Sequence, residues 1–296
     1  MPAFMRRTTQ IATILGATVA LLPASAHAQD MRHGGKLVLT NGISTIEGAS
    51  GGGLTPWATI AGNSTKDGIG VQASATVAEV EDYDFRSASI AIGIFDRVEV
   101  SYARQMLDTN WVGGALGLGN DYKLDQDVFG LKVKLFGDMV YGPSALPAVA
   151  IGAQHKKNLD GAVVRAVGGR HAEGTDFYAS ATKLFLSHSV LASVTGRLTK
   201  ANQNGLLGFG GDKSDAYDFH LEGTLAYQIS RKFAVGGEYR SKPDKLGIAR
   251  EDDWYDLFAA YALNRNLTAT LAYADLGSVA TVPEQRGVLF QLQAGF

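Results

Sequence analysis

The chain has 296 residues and a formal net charge of −2, so its charge gives no broad footprint for nucleic acid. It contains no cysteine, which excludes disulfides, thiol nucleophiles and cysteine-ligated metals. Its mean hydropathy is neutral, which excludes a protein built from transmembrane helices. A membrane β-barrel fits this composition, because it combines an apolar outer face with a polar lumen.

The N-terminus has the pattern of a secretory signal peptide. Arg6 and Arg7 precede the apolar run Ile11 to Leu22, and Ala26-His27-Ala28 forms a cleavage site of small residues. The apolar run is too short to span a bilayer, so it predicts export and not a membrane anchor. We therefore expect residues 1–28 to be removed on export.

Residues 29–70 form a glycine-rich segment ahead of the barrel. Gly34 to Gly42 predict one short strand that ends at an Asn-Gly turn, and Gly48 to Gly53 precede Leu54-Thr-Pro-Trp57. No Gly-Lys-Ser/Thr follows the glycine run, so it is not a phosphate-binding loop. Three interpretations stay open: a flexible linker, a plug folded inside or beneath the barrel, or two extra strands at 36–46 and 54–61.

The same stretch carries a family resemblance. Gly34-Gly35-Lys-Leu-Val-Leu-Thr-Asn-Gly42, with Glu47 to Trp57 after it, resembles the opening of a proteobacterial family known as domain of unknown function 3034. The resemblance runs on to Phe296 and implies an outer-membrane location. It implies no substrate, and no functional residue is carried over from it.

Beyond residue 70, apolar and polar residues alternate over stretches of about ten residues, the length of a membrane-spanning β-strand. In the clearest stretch, apolar residues or glycine fill every second position from Tyr217 to Ile229. The pattern predicts twelve strands, at 71–80, 85–94, 98–105, 127–136, 146–155, 176–186, 190–199, 217–229, 233–240, 254–263, 267–275 and 286–296.

The connections between these strands alternate in length. Four short ones, at 94–98, 186–190, 229–233 and 263–267, place three mostly polar residues between two apolar ones. A fifth connection, Gly137 to Ser144, belongs with them and is slightly longer. The remaining connections are long and polar, apart from Glu81 to Asp84. Short periplasmic turns that alternate with long external loops are typical of outer-membrane barrels. We predict an all-β fold: a transmembrane antiparallel up-and-down β-barrel at 71–296, with about twelve strands, or fourteen if both extra strands join it.

The last strand has the form of an assembly signal. Every second residue back from the C-terminus is apolar, and Gln291 and Gln293 lie on the other face. Bacterial outer-membrane barrels commonly end on such a strand. We predict that the barrel-assembly machinery recognises four of its residues: Phe290, Leu292, Ala294 and Phe296.

If the apolar positions face lipid, the alternate positions line the lumen. These positions carry both signs of charge in similar number, which predicts ion pairs across a narrow lumen and a restricted pore without strong selectivity. Such pairs are also compatible with a merely structural support of the wall. The predicted lumen-lining residues are Lys132, Lys134, Arg197, Asp218, His220, Glu222, Glu238, Arg240 and Asp256.

Catalysis is not indicated. His220 has Asp218 and Glu222 on its own strand face, but residues two apart along a strand lie about 7 Å apart, too far for a catalytic hydrogen bond. We expect neither a serine nucleophile elbow nor a metal-binding histidine motif, and therefore no enzyme activity, no metal and no cofactor.

We predict an outer-membrane channel that passes small solutes passively. Three alternatives stay open: a transporter of hydrophobic compounds, a structural or surface-contact barrel, and a hydrolase with a serine or carboxylate within about 3 Å of His220 or His155. The predicted partners are membrane lipid, small solutes, the barrel-assembly machinery and lipopolysaccharide. The lipopolysaccharide contact would use the basic residues of the predicted external loop 156–175, a loop that is equally compatible with plain solvation.

Overall fold

Twelve antiparallel strands close into a barrel in the computed structural model, which describes residues 35–142 and 146–296. Each strand pairs with its neighbours in the sequence, and the last pairs with the first. The predicted signal peptide, residues 1–28, lies outside the described residues. The barrel strands are β3 (Ile69–Val80), β4 (Asp84–Ile94), β5 (Val98–Asp108), β6 (Lys123–Phe136), β7 (Ala148–Asn158), β8 (Glu173–Phe185), β9 (Val190–Thr199), β10 (Asp218–Ser230), β11 (Phe233–Arg240), β12 (Trp254–Ala262), β13 (Leu267–Asp275) and β14 (Arg286–Gly295).

The predicted up-and-down barrel is therefore confirmed, and each of the twelve predicted strands has its counterpart. The fourteen-strand alternative is wrong. Two short strands, β1 (Ile43–Ser44) and β2 (Ser50–Gly51), pair with each other in a separate sheet and stay out of the barrel. The division of the chain at residue 70 stays a prediction, and β3 begins at Ile69.

Two short helices lie in the connections, α1 (Asn110–Ala115) and α2 (Gly161–Ala166). Single 3₁₀ turns occur at Leu186–His188 and Asn202–Gly205. No helix in the described part of the chain has the length and apolar character needed to cross a membrane.

The outer face of the barrel is apolar because the alternating side chains point to opposite sides of the wall. On β10, Phe219 is 64% exposed and Leu225 is 62% exposed, whereas Thr224 between their positions is 5% exposed. Leucine, isoleucine and aromatic side chains are exposed in the same way on neighbouring strands. A closed ladder satisfies every backbone group within the wall, which lipid requires. This is the architecture of a bacterial outer-membrane protein.

The two ends of the barrel differ, as the sequence predicts. One end, here called the short-turn end, carries brief connections such as 95–97 and 231–232, and one longer connection between β6 and β7 that departs from the predicted pattern. The other, here called the long-loop end, carries five long connections at 109–122, 159–172, 200–217, 241–253 and 276–285. The usual arrangement of such barrels would place the long-loop end outside the cell.

Residues 36–61, here called the plug segment, lie inside the barrel. Every residue from Thr40 to Gly62 is buried. Backbone amides of the segment donate hydrogen bonds to side chains on widely separated strands, at Glu99 on β5, Thr182 on β8 and Glu238 on β11. A segment that contacts the inner face on several sides of a closed ring occupies its interior.

A glycine allows the tightest contact of the plug segment with the wall. A Cβ atom added to Gly52 would collide with the carboxylate of Glu238. The absence of a side chain here therefore lets the plug backbone approach β11 closely.

Residues 201–211, here called the mouth loop, fold inward from the long-loop end and are all buried. Gln203 and Asn204 adopt left-handed backbone conformations, with φ of 43° and 61°. These two residues turn the chain back on itself, which brings Asn204 down onto side chains of the wall. Apolar residues of the other long loops, including Val112, Val163 and Leu246, pack over it.

Candidate functional site

The centre of the lumen holds a group of buried charged side chains, here called the central cluster. One member comes from the plug segment, and the other five come from β7, β8, β9, β10 and β11. No member is more than 4% exposed. The central cluster consists of Glu47, Lys156, Asp176, Arg197, Glu222 and Arg240.

Glu47 is the acid that joins the plug segment to this cluster. Nη1 of Arg240 lies 2.9 Å from Glu47 Oε2, and Nη2 of Arg240 lies 3.2 Å from Oε1, so the guanidinium holds both carboxylate oxygens. Nη2 of Arg197 lies 3.4 Å from Oε2, and Lys156 forms a further ion pair with Oε1. Three cations thus converge on one carboxylate of the plug.

The wall balances most of this positive charge itself. Asp176 Oδ2 lies 2.7 Å from Nζ of Lys156, and Glu222 pairs with Arg197 and, at 3.3 Å, with Nε of Arg240. The central cluster therefore contains three cations and three acids. Because buried charges are costly unless they are paired, this balance lets the cluster remain charged out of water.

Burial alone would raise the pKa of Glu47, but Arg240, Lys156 and Arg197 together hold this pKa well below its usual value of 4.5. Glu47 is therefore ionised at neutral pH. The plug segment is held by a true carboxylate and not by a neutral acid.

The mouth loop binds two of the same cations. The side-chain oxygen of Asn204 lies 3.0 Å from Nζ of Lys156 and accepts a 2.7 Å hydrogen bond from Nη2 of Arg240. The plug segment from one end and the mouth loop from the other therefore meet at Lys156 and Arg240.

A second attachment of the plug segment lies at Lys132 and Glu99. Nζ of Lys132 donates 2.8 Å hydrogen bonds to the carbonyl oxygens of Ser50 and Thr59, and it lies 3.0 Å from Glu99. Glu99 accepts hydrogen bonds from the amides of Ser50 and Ala61. This buried pair therefore serves both donors and acceptors of the plug backbone.

A third attachment lies at Glu238, which accepts hydrogen bonds from the Leu54 amide at 2.8 Å and from the Thr55 hydroxyl at 2.6 Å. Asp256 stands opposite Glu238 in the strand register and is also buried. One oxygen of Asp256, Oδ1, has no hydrogen-bond partner among the described residues. This part of the wall is acidic, unlike the balanced central cluster.

The remaining predicted lumen residues lie nearer the barrel ends. Lys134 pairs with Asp96 beside the short-turn end. Asp218 is half exposed at the long-loop end and lies 2.5 Å from Nζ of Lys245. His220 is half-buried between this end and Glu222. The structure thus brings Arg197, Glu222 and Arg240 together. It places Glu238 and Asp256 side by side. The other predicted lumen residues make separate contacts: Lys132, Lys134, Asp218 and His220.

Sequence reasoning missed four charged residues of the central cluster and of the Lys132 attachment: Glu47, Glu99, Lys156 and Asp176. The assignment of Lys156 to an external loop is wrong, because β7 continues to Asn158 and turns the Lys156 side chain inward. Extending the alternation of β7 by one more pair of residues would have found it. Glu47 gave no such signal, since it lies in an irregular segment.

The hydrolase alternative requires a serine or carboxylate beside His220 or His155. In the described part of the molecule His220 contacts a serine, but no acceptor holds its other ring nitrogen to complete a triad. His220 Nδ1 lies 3.2 Å from the hydroxyl oxygen of Ser241, and His220 Nε2 has no hydrogen-bond partner in the described ranges. A catalytic histidine needs its second nitrogen held by an acceptor. The Ser241 hydroxyl also binds the backbone carbonyl and amide of Leu221. Within the described parts of the chain, the hydrogen-bond partner of His155 is a threonine hydroxyl, that of Thr175 at 3.1 Å.

The expectation that the sequence lacks the serine-elbow pattern Gly-x-Ser-x-Gly is wrong, because Gly48-Ala-Ser50-Gly-Gly52 matches it. The context differs from an elbow, which stands between a strand and a helix. Ser50 begins the two-residue strand β2 inside the lumen, and its hydroxyl faces Gln72 at 3.3 Å. Over the residues that the structure describes, no group of three or more His, Asp or Glu side chains is arranged to hold a metal ion.

One apolar cavity of about 60 Å³ lies between the plug segment and the mouth loop. Ile46 and Leu54 of the plug and Leu206 of the mouth loop line it, together with Trp254 of the wall. It also reaches Val288, whose side chain is half exposed on the outer face of the barrel.

Comparison with solved structures finds other barrels at low identity. The KdgM porin gives a TM-score of 0.49 at 8% identity over 76% of this chain and 99% of that one. The NanC porin gives 0.48 at 10% identity over 76% and 98%. Outer membrane phospholipase A from Escherichia coli gives 0.41 at 8% identity over 76% and 92%.

The comparison with curated proteins returns no match. The family described as "Protein of unknown function (DUF3034)" matches residues 40–293, from the plug segment to the last strand. The match covers most of the chain, and the chain therefore belongs to this family.

Proposed function

We propose that the protein is an outer-membrane channel for small solutes, which the plug segment holds closed and which conducts when this segment leaves the lumen. The mouth loop narrows the same path from the long-loop end. Transport is passive, and no enzyme activity, metal or cofactor is part of the proposal.

The observation that carries this proposal is the chemistry of the plug contacts. The wall holds the plug segment through basic, acidic and hydroxyl side chains, including Lys132, Arg240 and Glu238. A barrel that only needed a filled interior would be at least as stable with apolar side chains, because buried charges must be desolvated. Charged side chains on the wall become favourable when water replaces the plug. The wall is therefore suited to two states, one plugged and one filled with water.

Transport of hydrophobic compounds is the second candidate, and the apolar cavity favours it. The cavity is lined by the plug and by wall residues that include Val288. Its volume of about 60 Å³ is small, since pockets for drug-sized ligands are ~300 Å³ or more. We therefore rank this function below the polar channel.

The proposal is tested by locking the plug segment to the wall. The hydroxyl oxygens of Thr55 in the plug and Thr224 in β10 lie 2.6 Å apart, so cysteines at both positions come within reach of a disulfide. The chain has no other cysteine, so Thr55→Cys with Thr224→Cys forms one defined bond. The measurement is conductance of the refolded protein in a planar bilayer, before and after reduction.

We expect low conductance in the oxidised double variant and a reversible increase on reduction. The two single-cysteine variants are matched controls, and their conductance should not respond to the reductant. Equal conductance of the oxidised and reduced double variant would contradict a plug that leaves the lumen. Absence of current from the wild type and from the reduced variant would contradict the channel itself and favour a structural barrel.

A further inference from the structure

We propose that Lys156, Arg197 and Arg240 form a binding site for the carboxylate group of an anionic solute, and that Glu47 occupies this site when the channel is closed. The inference rests on the proposed function, because the site becomes available to a solute only when the plug segment moves. It adds a substrate class: small molecules that bear a carboxylate.

The geometry around Glu47 is that of a carboxylate receptor. The Arg240 guanidinium meets both carboxylate oxygens, at 2.9 and 3.2 Å, as a two-pronged contact that a single amide or hydroxyl oxygen cannot reproduce. Arg197 and Lys156 approach the same two oxygens from other strands. All three cations belong to the wall, so they remain in place when the plug segment leaves.

The charge of the central cluster is balanced only when one anion occupies the position of the Glu47 carboxylate. With Glu47 present, the central cluster has three cations and three acids. Without it, Lys156, Arg197 and Arg240 face only Asp176 and Glu222, and the site has one uncompensated positive charge. A solute with one carboxylate restores the balance that Glu47 provides, whereas a neutral solute does not.

The neighbouring parts of the wall do not offer a second such place. The positive charge of Lys132 is already matched by Glu99 at 3.0 Å. Glu238 and Asp256 contribute two carboxyl groups to their part of the wall and offer an anion no positive charge. A carboxylate that enters the lumen therefore finds its strongest partners at the point where the plug segment and the mouth loop meet.

Occupation of this site by a solute has a consequence for gating. A free carboxylate and Glu47 compete for the same three cations, so binding of the solute favours the state in which the plug segment has left. Solutes of this class would thus promote their own passage, and neutral analogues of the same size would not.

Chemical rescue in the full-length protein tests the site. Glu47→Ala removes the atoms equivalent to one acetate ion and leaves the three cations in place. We expect this variant to unfold at a lower temperature than the wild type, as followed by the shift of the folded barrel band on gels after heating. Acetate should restore at least half of the loss, whereas acetamide and chloride at the same concentration should not.

Two variants serve as controls. Glu173→Ala removes an exposed acid at the start of β8, and its unfolding temperature should not respond to acetate. Adding Arg240→Gln to Glu47→Ala removes the two-pronged contact and should abolish the rescue. Equal effects of acetate and acetamide, or a rescue that survives Arg240→Gln, would overturn the site.

Conductance separates this inference from the proposed function. In the wild type, acetate should raise the frequency of channel opening several-fold over acetamide. Redox-dependent conductance in the Thr55→Cys, Thr224→Cys variant without any acetate effect would leave the channel standing and refute the carboxylate site. Conductance that ignores the redox state would instead refute the plug.

Discussion

Replacement of Glu47 by glutamine is the sharpest perturbation of the plug segment, because it keeps the shape of the side chain and removes its charge. Glu47 is fully buried, and its carboxylate meets Arg240, Arg197 and Lys156. In Glu47→Gln these cations keep Asp176 and Glu222 as acidic partners but carry one unbalanced charge. Removing one partner from a buried ion pair costs about 3–5 kcal/mol.

The lower end of this range applies here, since glutamine keeps one oxygen that accepts a hydrogen bond. The cost falls on the docked state alone, because water solvates the exposed cations once the plug segment has left. A loss of about 3 kcal/mol corresponds to roughly a hundredfold increase in the equilibrium constant for plug release, at 1.36 kcal/mol per factor of ten.

The assay is single-channel recording of refolded protein in planar bilayers, with open probability as the readout. Glu173→Gln makes the same chemical change at an exposed position and should leave open probability at the wild-type value. A change of less than about threefold in Glu47→Gln, with the barrel still folded, would show that the central cluster does not hold the plug segment in place.

Two further predictions concern the contacts of the plug segment, and a third concerns the predicted assembly signal. Since the pKa of Glu47 lies well below 4.5, its charge stabilises the plugged state fully above about pH 4.5 and is lost as the pH falls toward the lowered pKa. The difference in open probability between the wild type and Glu47→Gln should therefore stay constant between pH 8 and 5 and shrink in stronger acid. A difference that already shrinks between pH 8 and 5 would contradict this. Lys132→Met leaves Glu99 and the carbonyl oxygens of Ser50 and Thr59 without their cation, at a cost of about 3 kcal/mol. Hydrogen exchange at the Ser50 amide should therefore accelerate by roughly a hundredfold. Lys123→Met, at an exposed position, should leave this exchange rate unchanged. Phe296→Ala should lower the yield of folded protein in the outer membrane without reducing export to the periplasm, and an unchanged yield would refute the predicted assembly signal.

The strands could be predicted because the membrane imposes a simple rule on them. Lipid selects apolar side chains at every second position, and this period of two marks each strand directly in the sequence. The alternation on β10 shows the rule well, with Phe219 and Leu225 exposed and Thr224 buried. The strand ends at the long-loop end were less predictable, since inward polar residues such as Lys156 resemble those of a loop.

The interior could be predicted only in part. Arg197, Glu222 and Arg240 lie on strands, where the period assigns them to the lumen face. Glu47 and Asn204 lie in irregular segments, where no period indicates which way a side chain points. Their positions depend on left-handed turns and on contacts far apart in the sequence, such as the one from Asn204 to Lys156. The sequence therefore revealed the wall of the lumen but not what fills it.

The C-terminal end of the plug segment lies beside the junction of the first and last barrel strands. The Asn63 amide donates a hydrogen bond to the Phe296 carbonyl oxygen, which also accepts one from the Val71 amide, and β3 pairs with β14 directly above. The plug segment precedes every barrel strand in the chain, and the strand that completes the ring comes last. The two edge strands that close the ring therefore meet beside the end of the plug segment, and the closed ring surrounds this segment. The gating movement proposed above would therefore start beside the strand pair that closes the ring.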